Sequence, residues 1–227
     1  MSAHRLNPVD LLQTYTLAQL ERIATSFHNG VGFKIPVDID KMLETYEDVE
    51  VDLDYWPSLA ANHKLLGMAG IDTDYPGKIF VFIDEGLADN TSQRNRYRMT
   101  VAEEFAHIIL HRKAIETVKH PDDFKLIQEH PMWRTFDRNA KWLAAALLIP
   151  AENVLSDTRE LYQQIMAVLP KETKFLRGDI VKNKITALLA ERYCVSCQAM
   201  EYRLKDWPVN VINKIDEAMR EQLDFLL

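Results

Sequence analysis

A row of three polar residues on one face of an otherwise apolar helix, within residues 98–111, constrains the fold more than any other feature. Residues four positions apart on an α-helix lie on one face, so Glu103, His107 and His111 form a single row. The positions around the row are apolar, which predicts that the helix is largely buried. Buried ionisable groups are costly unless they are paired or bind a metal. The fold must therefore supply a partner for this row.

The same helix carries an altered form of a known metal-binding motif. In the zincin motif, His-Glu-x-x-His, two imidazoles hold Zn²⁺ and the glutamate activates the bound water. Here the same spacing reads Glu103-Glu104-x-x-His107. Glu104 therefore stands at the general-base position and His107 at the second ligand position, but a carboxylate replaces the first histidine.

The remaining patterns predict an α+β fold that is predominantly helical. Helical patterns occupy eight stretches: 7–29, 36–46, 92–112, 132–149, 157–169, 182–193, 198–205 and 209–227. Shorter patterns predict three strands: 49–55, 65–71 and 78–83. Together they indicate a small three-stranded sheet, antiparallel at least in part, followed by a helical C-terminal third.

Length and charge limit the classes of protein to which the chain can belong. Its 227 residues allow one large domain with a helical appendage, which we assign to 1–150 and 151–227. A net charge of −7 argues against a protein that binds nucleic acid over its whole surface. Residues 1–10 lack a signal-peptide pattern, and the longest apolar stretch, 142–151, is about half a membrane span. We therefore expect a cytoplasmic protein without a membrane partner.

The helix motif is similar to that of the ImmA/IrrE family of metallopeptidase-like regulators. In that family the helix reads roughly Arg-Phe-Thr-Leu-Ala-His-Glu-Leu-Gly-His. Five residues of this chain match that pattern in register: Arg98, Thr100, Ala102, Glu104 and His107. The resemblance implies a zincin-like core around this helix.

Three further segments resemble the same family in the same order. A later family helix reads roughly Glu-Ala-Asn-x-Phe-Ala-Ala-Glu-Leu-Leu-Met-Pro, and its first Glu is the third zinc ligand. Here residues 139–150 read Asn-Ala-Lys-Trp-Leu-Ala-Ala-Ala-Leu-Leu-Ile-Pro, so Asn139 stands at the ligand position. Segments 35–43 and 195–204 resemble the family's N-terminal segment and its C-terminal helical element.

The resemblance implies a zinc site of two His and one Glu, and this chain differs at two of those three positions. A carboxylate such as Glu103 can bind zinc, whereas the neutral amide of Asn139 is a poor zinc ligand. We therefore expect no cofactor; zinc or another divalent cation is the alternative if the site is still competent. In the metal-free interpretation, Glu103 pairs with protonated His107, and Asn139 donates to a carboxylate. His111 is expected to support the ligands rather than to bind metal.

The function expected from the resemblance is regulation or binding without catalysis, and whether any enzyme activity remains is left open. Without zinc, Glu104 keeps the position of a general base but has no bound water to activate. Active family members act on helix-turn-helix transcriptional repressors, often in mobile elements or stress responses, so the expected partner is such a repressor or another protein. The alternative is an active metal-dependent peptidase with an unusual Glu/His site that cleaves a repressor.

The C-terminal helices suggest a second alternative, a DNA-binding regulator. Residues 171–208 contain eight basic and five acidic residues, a local excess of positive charge. The helices predicted on either side of residues 194–197 have the spacing of a helix-turn-helix. A plain helical pair packed against the scaffold explains the same pattern. Cys194 and Cys197 are too few for a disulfide framework.

Overall fold

The computed structural model describes residues 11–31, 34–46, 50–57, 59–71, 74–75, 77–117, 127–168 and 178–224. Their helices are α1 (Leu17–Val31), α2 (Ile39–Glu44), α3 (Leu59–His63), α4 (Glu85–Ala88), α5 (Arg94–Ile115), α6 (Trp133–Leu148), α7 (Ala151–Val168), α8 (Gly178–Tyr193), α9 (Cys197–Lys205) and α10 (Val211–Asp224). Their strands are β1 (Glu50–Trp56), β2 (Gly67–Ile71) and β3 (Lys78–Asp84). The predicted α+β, predominantly helical class is confirmed.

The three strands form one mixed sheet with the order β1-β3-β2. β1 runs parallel to β3, and β2 runs antiparallel to β3, with Ala69 opposite Val81. The central strand is the most buried, because Ile79, Val81 and Ile83 are almost fully enclosed. The expectation of a sheet that is antiparallel in part is therefore confirmed. β2 is left at an edge of the sheet, beside α5.

Helix α5 is the long helix predicted from the polar row, and it packs against β2 and β3. Val101, Phe105 and Ile108 are completely buried, as the apolar pattern predicts. The backbone leaves helical geometry at His111, where φ is −130° and ψ is 19°. The helix therefore bends one residue after Leu110 and ends at Ile115.

Helix α1 begins ten residues later than the sequence pattern predicts. Residues 7–10 of the predicted helix lie outside the described residues, and 12–16 are not helical. The cause is a reciprocal cap: the Thr16 N–H donates to Gln19 Oε1 at 2.8 Å, and the Gln19 N–H donates to Thr16 Oγ1 at 3.4 Å. A capping box of this kind fixes the first residue of a helix.

The chain divides into two compact units, one within residues 1–34 and 38–147, the other within 35–37 and 148–227. The domain boundary expected at residue 150 stays a prediction. In the second unit, α7 begins at Ala151, six residues earlier than predicted, and the Val154 N–H donates to the Pro150 carbonyl. None of the helices described is both long and apolar enough to cross a membrane.

Candidate functional site

Glu104 lies against the edge strand of the sheet. A Cβ atom added to Gly67 of β2 would stand 2.6 Å from Thr100 Cγ2 and 2.8 Å from Glu104 Cγ. Real Cβ atoms do not approach other atoms so closely, so the absence of a side chain at Gly67 lets α5 lie at its present distance from β2. Glu104 therefore reaches the backbone of β2, close to the N–H of Ala69.

Both carboxyl groups of the motif hold their protons more tightly than exposed carboxyl groups do. Burial raises the pKa of Glu104 to about 8, and the neighbouring charge of Glu103 adds to this effect, while the Ala69 backbone opposes it. Burial also raises the pKa of Glu103. In the absence of a metal, Glu104 is therefore largely protonated at neutral pH.

His107 is neutral and stacks on an aromatic ring. Burial lowers the pKa of His107 to about 4, and the neighbouring His111 contributes in the same direction. The ring centroids of His107 and Trp133 are 5.9 Å apart, and the two ring planes are parallel within 1°. The structure shows neither a hydrogen bond nor an ion pair between His107 and Glu103. The expected Glu103–His107⁺ pair is therefore not formed.

His111 is buried without a hydrogen-bond partner. It is 3% exposed, and neither ring nitrogen makes a hydrogen bond within the part of the chain that the structure describes. Burial lowers the pKa of His111 to about 4; the backbone groups of Phe136 and Leu110 oppose this shift but lack hydrogen-bonding geometry. The rings of Tyr15, His107 and Phe136 surround it at centroid distances of 6.4, 5.7 and 5.6 Å. An unpaired buried group of this kind costs about 1–3 kcal/mol.

Asn139 is also buried, and its side-chain amide is bonded to the backbone of one residue. Its Oδ1 accepts from the Tyr15 N–H at 3.1 Å, and its Nδ2 donates to the Tyr15 carbonyl at 3.1 Å. The expected hydrogen bond from Asn139 to a carboxylate is therefore not formed. The side-chain amide of Asn139 therefore faces residues 11–16 of the N-terminal segment.

The residues at the three expected ligand positions do not fit a zinc ion. The side chain of Asn139 is engaged by Tyr15, and an amide is a poor zinc ligand in any case. Asp137, two residues earlier on α6, pairs with Lys141 at 2.8 Å. Among the described residues, no group of three or more His, Cys, Asp or Glu side chains is arranged to hold a metal ion.

The sequence predicts that Glu103, Glu104, His107 and Asn139 belong to the site. It does not predict the residues that contact them. Tyr15 lies within the helical pattern predicted at 7–29, where it is an apolar position. Its signal was the Thr16-x-x-Gln19 pattern, which begins the helix after Tyr15. Gly67 carried no signal in the sequence, since its role depends on the packing of α5 against β2.

The C-terminal helices α8 and α9 are joined by residues 194–196, as a helix-turn-helix requires. Most of their basic side chains are held within the same unit, whereas Lys184 of α8 is exposed. Four such contacts are Lys182 with Asp216, Arg192 with Asp157, Lys205 with Glu201, and the buried Arg203 with the Ile149 carbonyl. Lys171, Lys174 and Arg177 lie outside the described residues. Both cysteine thiols, Cys194 and Cys197, are free.

Comparison with known families identifies one match. The family model described as the IrrE N-terminal-like domain of peptidase M78 matches residues 86–205. Three of the four resembling segments lie within that range: 98–107, 139–150 and 195–204. A comparison with curated proteins found no similar sequence.

Proposed function

Because the chain belongs to the IrrE N-terminal-like family of M78 peptidases, we propose that it is a regulatory binding protein that has kept the peptidase scaffold without hydrolysis. One observation carries the proposal. Asn139 stands at the third ligand position, and both the oxygen and the nitrogen of its side chain are hydrogen-bonded to the backbone of Tyr15. A side chain held in this way is not available to complete a zinc site.

The chemistry of the neighbouring residues supports the same proposal. A metallopeptidase needs a metal-bound water and an ionised glutamate that takes its proton. Without a metal, Glu104 is largely protonated at neutral pH, because burial raises its pKa to about 8. The ring of His107 stacks on that of Trp133. In this arrangement the site supplies neither a metal-bound water nor an ionised base.

The partner that we propose is a helix-turn-helix transcriptional repressor. The family resemblance supports this class of partner, and a protein that binds a repressor without cleaving it would act by sequestration. The experiment mixes the protein with the helix-turn-helix repressor encoded nearest to its own gene, in the presence of added zinc. We expect the two to co-elute in size-exclusion chromatography, with the repressor mass unchanged in mass spectrometry.

The matched control is Glu104→Gln, which keeps the shape of the side chain but cannot act as a base. We expect the variant and the wild-type protein to behave alike, because the proposed function uses no base. Zinc-dependent fragments of the repressor that disappear in Glu104→Gln would overturn the proposal in favour of an active peptidase. Absence of co-elution would overturn the proposed partner.

A further inference from the structure

We propose that residues 12–16 form a strap fastened by Asn139, so that the third ligand position holds polypeptide backbone in place of a metal ion. The occupant of this backbone-binding site is the chain's own Tyr15. The proposal goes beyond repressor binding, because it assigns a role to Asn139 that does not depend on any partner. It rests on the three sets of contacts at Tyr15, Leu110 and Thr16.

The first contact is a two-point recognition of the backbone. Asn139 accepts from the N–H and donates to the carbonyl of the same residue, Tyr15. Two residues of neighbouring antiparallel strands exchange hydrogen bonds in this way, so the amide takes the place of one strand residue. A carboxylate accepts but cannot donate when it is ionised. The family's Glu would therefore lose one of the two bonds, which makes Asn139 suited to the strap and unsuited to zinc.

The second contact fastens the side chain of Tyr15. Its hydroxyl donates to the Leu110 carbonyl at 3.1 Å, immediately before the bend of α5 at His111. Burial raises the pKa of Tyr15, so the hydroxyl keeps its proton at neutral pH. The Tyr15 ring lies beside the ring of His111. The strap therefore contacts both α5 and α6 and contributes to the burial of His111.

The third contact sets where the strap ends. Thr16 caps α1 through Gln19, so the N–H groups of two consecutive residues have different partners. The Tyr15 N–H is held by Asn139, and the Thr16 N–H is held by Gln19. A mutation can therefore remove either hydrogen bond without removing the other. Hydrogen exchange at the Tyr15 and Thr16 amides then tests the two bonds separately.

Opening the strap would uncover His111. Its two ring nitrogens have no hydrogen-bond partner among the described residues, and Tyr15 is one of the three rings around it. With the strap released, water or a ligand with a polar group can reach these nitrogens. In the wild-type protein, the fastened strap keeps the His111 nitrogens away from water and from such a ligand.

Amide hydrogen exchange measured by NMR tests the fastening directly. In Asn139→Leu, we expect the Tyr15 amide to exchange about fivefold faster, because a net hydrogen bond is worth about 1 kcal/mol. The Thr16 amide should exchange as in the wild-type protein. The matched control is Gln19→Ala, in which we expect the reverse: faster exchange at Thr16 and little change at Tyr15.

Chemical modification of His111 tests the consequence. Diethyl pyrocarbonate modifies accessible neutral imidazoles, and mass spectrometry reports the extent at His111. We expect several-fold more modification in Asn139→Leu than in the wild-type protein and an intermediate increase in Tyr15→Phe, which loses the hydroxyl contacts with Leu110 and Gln13 but keeps both bonds to Asn139. Tyr202→Phe, a change at an exposed tyrosine, is the control and should have no effect.

Two results would overturn the strap. The first is a folded Asn139→Leu protein whose Tyr15 exchange and His111 modification equal those of the wild-type protein. The second result applies if Asn139→Leu does not fold, because the test then depends on Tyr15→Phe. Modification of His111 in Tyr15→Phe that equals the wild-type value would contradict the proposal.

Discussion

Gly67 sets how closely the functional helix approaches the sheet. The space that a methyl group would need is occupied by Thr100 and Glu104 of α5. Neither neighbour can move away cheaply, because Thr100 is branched at Cβ and the contact with Glu104 is in the middle of its side chain. The position of Glu104 therefore depends on a residue that has no functional group of its own.

We expect Gly67→Ala to destabilise the protein by about 1–3 kcal/mol, the usual cost of overpacking a well-packed contact. The measurement is chemical unfolding followed by circular dichroism. Gly70→Ala in the same strand is the control, since its added Cβ would lie 4.0 Å from Phe82 Cε2, an ordinary contact. Equal destabilisation by the two changes would mean that the loss of stability comes from replacing a glycine in β2, and not from the contact with α5.

Glu104 gives the site a pH dependence whose sign can be stated. Its pKa is raised from 4.5 to about 8 on folding, so the folded state binds the proton more tightly than the unfolded state. The contribution of Glu104 to the free energy of unfolding is therefore present below about pH 4.5 and is lost as pH rises toward about 8. Gln cannot ionise, so its contribution does not change over this range.

We accordingly expect Glu104→Gln to become more stable relative to the wild-type protein as pH rises between about 6 and about 8, by at most about 1.4 kcal/mol per pH unit. Guanidinium unfolding of both proteins at several pH values measures this difference. Glu129→Gln, the same change at an exposed position, is the matched control. A pH-independent difference for Glu104→Gln would contradict the account of the buried carboxyl group.

At the scale of elements, α8 and α9 have the connection of a helix-turn-helix, but most of their basic side chains have partners. Lys182, Arg192 and Lys205 form ion pairs within their own unit, and Arg203 is buried against a carbonyl. A DNA-binding helix needs basic side chains that are free to reach phosphate groups. We therefore expect this part of the chain to be a plain helical pair.

We expect gel retardation with a mixture of duplex DNA sequences to show at most weak binding at low salt, without sequence preference and lost at physiological salt. The control is Lys184→Ala, at an exposed position of α8, which should weaken any such nonspecific binding only slightly. A sequence-specific complex that persists at physiological salt would revive the DNA-binding alternative.

The elements themselves were largely predictable, because most of them are set by local patterns. The polar row on an apolar helix gave α5, and the alternation of acidic and apolar residues gave β1. Contacts between distant residues were not predictable in the same way. Asn139 and Tyr15 are 124 positions apart, and nothing in either segment alone indicates that they meet. The bend of α5 at His111 likewise depends on packing, not on a proline or glycine.

At the scale of the whole molecule, the chain belongs to the family, and Glu103 and Asn139 differ from the ligands that the resemblance implies. The match over residues 86–205 covers both the helix of Glu104 and the helix of Asn139. Both helices, α5 and α6, are formed in this chain. The family motif could therefore be recognised from sequence, but the new use of Asn139 required the structure.

The measurement that tests the central claim most directly is the zinc content of the purified wild-type protein. The protein is dialysed against chelator-free buffer, and metal is determined by elemental analysis against protein concentration. Asn139 is held by Tyr15, and the described residues contain no group of three or more His, Cys, Asp or Glu side chains that could hold a metal ion. We therefore expect far less than one zinc ion per chain. One tightly bound zinc ion per chain, lost in His107→Ala, would contradict the claim that this site no longer holds a metal.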